Sequence, residues 1–127
     1  RQMCIRDRCT VDETTGEELT PLAHRSSRRV FAEQTAEKLQ ELLAGVVAEG
    51  TGRQAAPSEG TAAGKTGTAQ TGQFRDGEEL KNYWFAGFYP AEKPRWTIVV
   101  MQDAQTEPEV SSAAVFARLC DALSAGE

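Results

Sequence analysis

The sequence predicts an α/β fold: a mostly antiparallel sheet covered by helices on both faces and present in incomplete form. Three observations lead there. Two amphipathic stretches, residues 32–49 and a final one opening at Ser111 or Ser112, flank three consecutive extended stretches. The links between those stretches are short, which suits antiparallel neighbours and not the long crossovers of a parallel sheet. The last of the three, Trp96-Thr97-Ile98-Val99-Val100-Met101, is almost continuously apolar, the pattern of a strand covered on both sides.

The elements follow in order. Residues 1–9 fit no element. Gln2 to Arg8 resembles a peptide translated from sequencing-adapter DNA, so 1–9 is set apart as a non-native or disordered stretch and 10–125 is taken as the domain. Residues 10–22 read as a hairpin around Thr14-Thr15-Gly16. A basic connector, His24 to Arg29, leads to the first helix. There Ala36, Leu39, Leu43, Val46 and Val47 recur at helical spacing, with Leu42 beside them. Glu33 and Glu37 suit the helix N-terminus, Gly50 is placed to cap the C-terminus, and Gly45 inside the helix points to another backbone passing close by. A Gly-, Ala- and Ser-rich loop precedes a strand over 62–70. A polar stretch with a turn at Asp76-Gly77 follows, then strong strands at 82–89, stopped by Pro90, and 96–101. In the final helix Val115, Phe116, Leu119, Cys120 and Leu123 are expected to share the apolar face.

Composition narrows the function. The 127 residues carry a formal net charge of −5, which argues against a general nucleic-acid binder needing a basic stripe. No apolar run is long enough to span a bilayer, and no signal peptide is visible. The three cysteines, Cys4, Cys9 and Cys120, form neither a disulfide framework nor a metal-ligand spacing, and His24 is the single histidine. No metal and no cofactor is expected. Cys120 reads as a small core residue.

The chemistry concentrates in Gly64-Lys65-Thr66-Gly67-Thr68-Ala69-Gln70. A fixed cation beside two threonine hydroxyls suits a carboxylate or a phosphate, and the two glycines let a ligand lie against bare backbone. A phosphate-binding loop fails on register: the glycine it requires would stand at position 59, where the chain has Glu59, and a helix would have to start where Gly67 and Gly72 interrupt. The strand carrying Lys65 is expected at the edge of the trio, beside 82–89. Its free backbone groups there can receive an extended peptide.

Lys65-Thr66-Gly67 is also the lysine-threonine-glycine element of the penicillin-recognising serine enzymes. Extended to Ala63 through Gly72, preceded by Val46-Val47-Ala48-Glu49-Gly50-Thr51-Gly52 and followed by Trp84 to Pro90 and Trp96 to Met101, it resembles the C-terminal part of a class B penicillin-binding protein transpeptidase domain over about residues 10–125. The resemblance implies a D,D-transpeptidase that cross-links peptidoglycan stem peptides through an acyl-serine and is acylated by β-lactam antibiotics. It assigns Lys65 and Thr68 to catalysis, Lys65 by its positive potential and Thr68 by its backbone N–H in the oxyanion hole. It assigns Thr66, Gly67 and Thr68 to the substrate, the hydroxyls holding the terminal carboxylate and Gly67 keeping the strand bare. The partners implied are stem peptides ending in D-Ala-D-Ala and β-lactams, with no nucleic acid. The membrane is met only through an N-terminal anchor outside this chain, with the domain on the extracytoplasmic face.

One departure from the family is decisive. No serine is followed three residues later by lysine: Arg29, Thr61, Ala114 and Val115 follow Ser26, Ser58, Ser111 and Ser112. The spaced Ser-x-Asn element is absent too, because Asn82 is preceded by Leu80 at that distance. The nucleophile and its base are therefore expected upstream, the 127 residues alone are expected to be inactive, and an edge of the sheet with some apolar surface is expected to be exposed. A non-catalytic penicillin-binding-like sensor or scaffold is the alternative, and a β-lactamase ranks lower. Tyr83 and Phe74 are potential groove residues, with core packing the simpler role. Trp84, Phe85, Phe88 and Trp96 read as core or cleft wall.

Overall fold

The structure is a computed structural model and describes residues 9–11, 14–21 and 29–126. The stretch 1–8, with Cys4, and most of the basic connector, with His24, lie outside the described residues. The chain divides into two units, residues 1–31 and 32–127. In the first, β1 (Cys9–Val11) and β2 (Glu18–Pro21) pair antiparallel, as expected of the hairpin.

The second unit holds α1 (Glu33–Ala48), a short 3₁₀ turn (Arg53–Ala55), β3 (Ala63–Arg75), β4 (Glu78–Tyr89), β5 (Trp96–Gln105) and α2 (Ser112–Ala125). The three strands form an antiparallel sheet in the order β3-β4-β5, so β3 is an edge strand. Its hairpin with β4 runs further than the polar composition suggests. It closes through Asp76-Gly77, both at positive φ (54° and 86°), the conformation of a tight hairpin turn that glycine favours. The polar residues 71–73 fit because they form a bulge: pairing passes from Gln70↔Lys81 to Phe74↔Glu79. Thr71 Oγ1 donates to the Leu80 carbonyl at 2.6 Å, and the Gly72 N–H donates to Glu79 at 3.2 Å. β5 also outruns its apolar core. It bulges where Ala104, at φ 48°, donates its N–H to the Asn82 side-chain oxygen at 2.9 Å.

Directly opposed residues share a face of the sheet. Thr66, Phe85 and Val100 lie in one row, and Lys65, Ala86 and Val99 lie in the next, on the opposite face. α2 covers the first face. Phe116 and Phe85 are fully buried with ring centroids 4.7 Å apart, and Ala113 and Cys120 complete the contact. Trp96, Ile98 and Val100 pack at the margin of this core. Burying each phenylalanine is worth about 1.5–3 kcal/mol. Ser111 caps α2, its hydroxyl accepting from the Ala114 N–H at 3.1 Å.

The structure revises four expectations of detail. On the second face of the sheet Trp84, Val99 and Met101 are 38%, 58% and 45% exposed, so the apolar run of β5 is covered on one side only. In α2 the covered stripe runs through Ala113, Phe116, Ala117 and Cys120, while Leu119 faces outward. In α1 the last turns pack, through Val47, and Leu39 and Leu42 stand exposed. Among the described residues, no atom beyond its own stretch of helix comes within 4 Å of a Cβ placed on Gly45, so no described backbone passes there. Gly50 follows the capping residue Glu49, and its N–H reaches the Val46 carbonyl at 3.1 Å.

Candidate active site on the edge strand

Strand alternation sends the Lys65 side chain to one face of β3 and that of Thr66 to the other. Because β3 has no neighbour on its outer side among the described residues, the flexible lysine stem wraps round the open edge. Its Nζ donates to Thr66 Oγ1 at 3.1 Å and to the Thr66 carbonyl at 3.0 Å. The Thr66 hydroxyl also lies 3.2 Å from that of Thr51. Gly67 and Thr68 continue the edge, both exposed.

The two glycines of the motif separate in role. A Cβ on Gly64 would meet the Ala86 carbonyl and two atoms of the Phe85 ring at 2.7 Å. Gly64 therefore serves the core, not a ligand, and the reading of both as a bare surface holds geometrically for Gly67 alone. At Gly67, among the described residues, a Cβ would meet only Trp84, at 3.5 Å, so no described contact demands glycine there.

Beside Thr66, Gly67 and Thr68 opens a cleft of about 200 Å³. Thr51, Gln54, Tyr83, Trp84, Pro108 and the first residues of α2 complete its wall. Tyr83 is fixed by donating to the Thr106 carbonyl at 2.7 Å. Ser112 Oγ donates to the Tyr83 carbonyl at 2.9 Å and accepts from Gln102 at 3.0 Å. Ser111 donates to the Gln54 side-chain oxygen, which anchors the 3₁₀ turn to the start of α2. Among the described residues, no carboxylate lines this cleft. Its polar groups are hydroxyls, amides and the positive end of a helix, and Lys65 adds a full charge at the rim. Such a site favours a small anion at the end of an extended chain lying along the strand edge.

A larger groove, about 930 Å³, lies between α1 and the 56–62 loop. Glu37, Glu41 and Glu92 line it against one arginine, Arg53, so it would repel the anion that Lys65 and Thr66 attract. Size does not make it the site.

Of the residues expected at the site, Lys65, Thr66, Gly67 and Thr68 are together on the edge. Tyr83 and Trp84 belong to the cleft wall, whereas Phe74, 68% exposed, is at the far end of β3 beside the turn. The sequence assigned no role to Thr51 or Gln54, and to Ser111 only that of a candidate helix cap. The flanking glycines of Gly50-Thr51-Gly52 were the available signal for the first.

Comparison with known proteins identifies the family. The family model of the penicillin binding protein transpeptidase domain matches residues 11–121. The chain belongs to the penicillin-binding protein transpeptidase family. Among curated relatives, it is 38% identical over 96 residues to stage V sporulation protein D of Bacillus subtilis, covering 73% of this chain and 14% of that protein. It is 37% identical over 114 residues to penicillin-binding protein PbpB of Mycolicibacterium smegmatis, covering 79% and 16%. The chain thus spans well under a fifth of the length of these two relatives. Among solved structures it is similar to a D,D-transpeptidase domain from Eggerthella lenta, with TM-score 0.63 and 31% identity over 87% of this chain and 25% of that one. It is also similar to the TP domain of penicillin-binding protein 3 from Burkholderia pseudomallei, with TM-score 0.68 and 26% identity over 93% and 35%. This membership carries the α/β fold of transpeptidase domains to the chain.

Proposed function

We propose that the chain is the carboxylate-binding side of a serine-type peptidoglycan D,D-transpeptidase. One observation carries the reading: the Thr66 hydroxyl, hydrogen-bonded by the Lys65 ammonium, and Thr68 sit together on an open strand edge beside a cleft with no carboxylate in its wall among the described residues. A stem peptide ending in D-Ala-D-Ala pairs along β3, with its terminal carboxylate at the hydroxyls of Thr66 and Thr68 and its scissile carbonyl at the Thr68 N–H. Gly67 leaves room for the chain to approach. A serine outside this chain attacks that carbonyl. The C–N bond to the last D-Ala breaks, the amine leaves with a proton, and an amine of a neighbouring stem peptide then displaces the serine from the ester. β-Lactams, which pair an acyl group with a carboxylate, acylate the same serine.

The serines described here support an external nucleophile. Ser111 and Ser112 are committed to α2 and Tyr83, Ser58 bonds Asp121 through its N–H at 2.7 Å and its hydroxyl at 3.1 Å, and Ser124 Oγ donates to the Cys120 carbonyl at 3.2 Å and lies 2.6 Å from the Tyr89 hydroxyl. The intact protein is anchored in the cell membrane outside this chain and places the domain on the extracytoplasmic face.

The test is the second-order rate of acylation of the intact protein by benzylpenicillin. Lys65→Ala and Thr68→Val are expected to lower it by at least about a hundredfold and about tenfold, the scale of a lost transition-state or anion contact. Rates unchanged in both would refute the assignment. Acylation without transpeptidation of a D-Ala-D-Ala substrate would favour the sensor reading.

A further inference from the structure

Thr51 stands at the turn that leaves α1, and three observations fix it there. The N–H groups of Gly50 and Gly52 donate to the Val46 carbonyl at 3.1 and 3.0 Å. A Cβ on Gly50 would fall 2.9 Å from Val46 backbone atoms, and one on Gly52 would press on Val46 and Phe85 at 3.1–3.4 Å. The two glycines therefore seat the turn flush on the helix end and the core. That leaves the hydroxyl of Thr51 held against β3, 3.2 Å from Thr66 Oγ1.

The proton inventory then decides what this contact does. A hydroxyl has one proton to give and two lone pairs. An ammonium can only donate, so the Lys65 contact at 3.1 Å occupies one lone pair of Thr66 Oγ1. If Thr66 gave its proton to Thr51, it would present an arriving carboxylate with oxygen lone pairs alone. If Thr51 donates instead, both lone pairs of Thr66 are filled and its O–H is left for the anion.

We propose that Thr51 is a positioning residue: it donates to Thr66 Oγ1 and thereby turns the Thr66 proton toward the carboxylate of the substrate or β-lactam. This rests on the transpeptidase reading above and deepens it. Thr51 acts through Thr66, so its effect follows the anion and not the reacting carbonyl.

The experiment measures acylation of the intact protein by benzylpenicillin and by its methyl ester, which lacks the anion, in wild type, Thr51→Val and Thr51→Ser. Thr51→Val keeps the shape and loses the hydroxyl. It is expected to slow benzylpenicillin by about tenfold, the scale of one hydrogen bond to a charged ligand. Thr51→Ser is expected to restore the rate. The ester is expected to react slowly and alike with all three, at unchanged melting temperatures. The proposal is overturned if Thr51→Val leaves the benzylpenicillin rate unchanged, if Thr51→Ser is as slow as Thr51→Val, or if the ester loses as much as the acid. A wild type that benzylpenicillin does not acylate overturns the transpeptidase reading and this one with it. The wild-type measurement distinguishes that failure from a failure of Thr51 alone.

Discussion

Gly64 and Gly67 share one short motif and one strand, yet their neighbours assign them different work. Phe85 and the β4 backbone take the space where a Gly64 side chain would be, whereas the space at Gly67 is open. Gly64→Ala is expected to destabilise the fold by about 1–3 kcal/mol, the cost of overpacking a filled core. Gly67→Ala is expected to leave the unfolding midpoint nearly unmoved while slowing acylation of the intact protein. Chemical denaturation and acylation rates separate the two, and equal loss of stability in both would contradict the division. Burial of Cys120, with the Asp121 carboxylate a lesser cause, pushes its thiol up to about 11 from an ordinary value of 9.0. Between those values the unfolded chain has released the proton while the folded chain keeps it. Stability should therefore be insensitive to this group below pH 9, fall by up to about 1.4 kcal/mol per pH unit from 9 to 11, and level off above. The pH dependence of the urea midpoint, compared with that of Cys120→Ala, reads this directly. The candidates Lys65, Thr66 and Thr68 stand out in the sequence because their chemistry is contiguous. Thr51 does not, because its partner is brought to it by the end of a helix and two seated glycines, a contact that no spacing rule encodes.

Residue type pointed to a cap at Ser111 or Ser112, of which the structure uses Ser111. The periodicity of α1 and α2 gave the helices and the burial of Cys120. It did not give which side of each helix is covered. An apolar stripe states what can be buried, while the neighbour decides what is: α2 turns Phe116 to Phe85 and leaves Leu119 outside, and α1 packs by its last turns alone. The strands were under-read for a related reason. Polar residues on an edge strand and at bulges carry no hydrophobic alternation, so β3 and β5 outran the predicted 62–70 and 96–101. Gly45 gives the element-level test. With nothing within 4 Å of its missing Cβ, Gly45→Ala should stabilise this chain by about 0.5–1 kcal/mol through helix propensity alone. A lower unfolding midpoint would mean that another segment uses that space.

At the scale of the molecule, one face of the sheet has α2 and the other presents Trp84, Val99 and Met101 outward. The apolar run of β5, read as covered on both sides, meets that condition in our proposal when the rest of the transpeptidase domain, with its serine and lysine, lies over the second face. The anion-binding edge and the missing nucleophile are then two halves of one site. Labelling with a fluorescent penicillin, followed by denaturing electrophoresis, tests this most directly. The account predicts a covalent band from the intact protein, a much weaker one from intact Lys65→Ala, and none from the 127 residues alone. A covalent band from the 127 residues alone, or an intact protein that never labels, would contradict it.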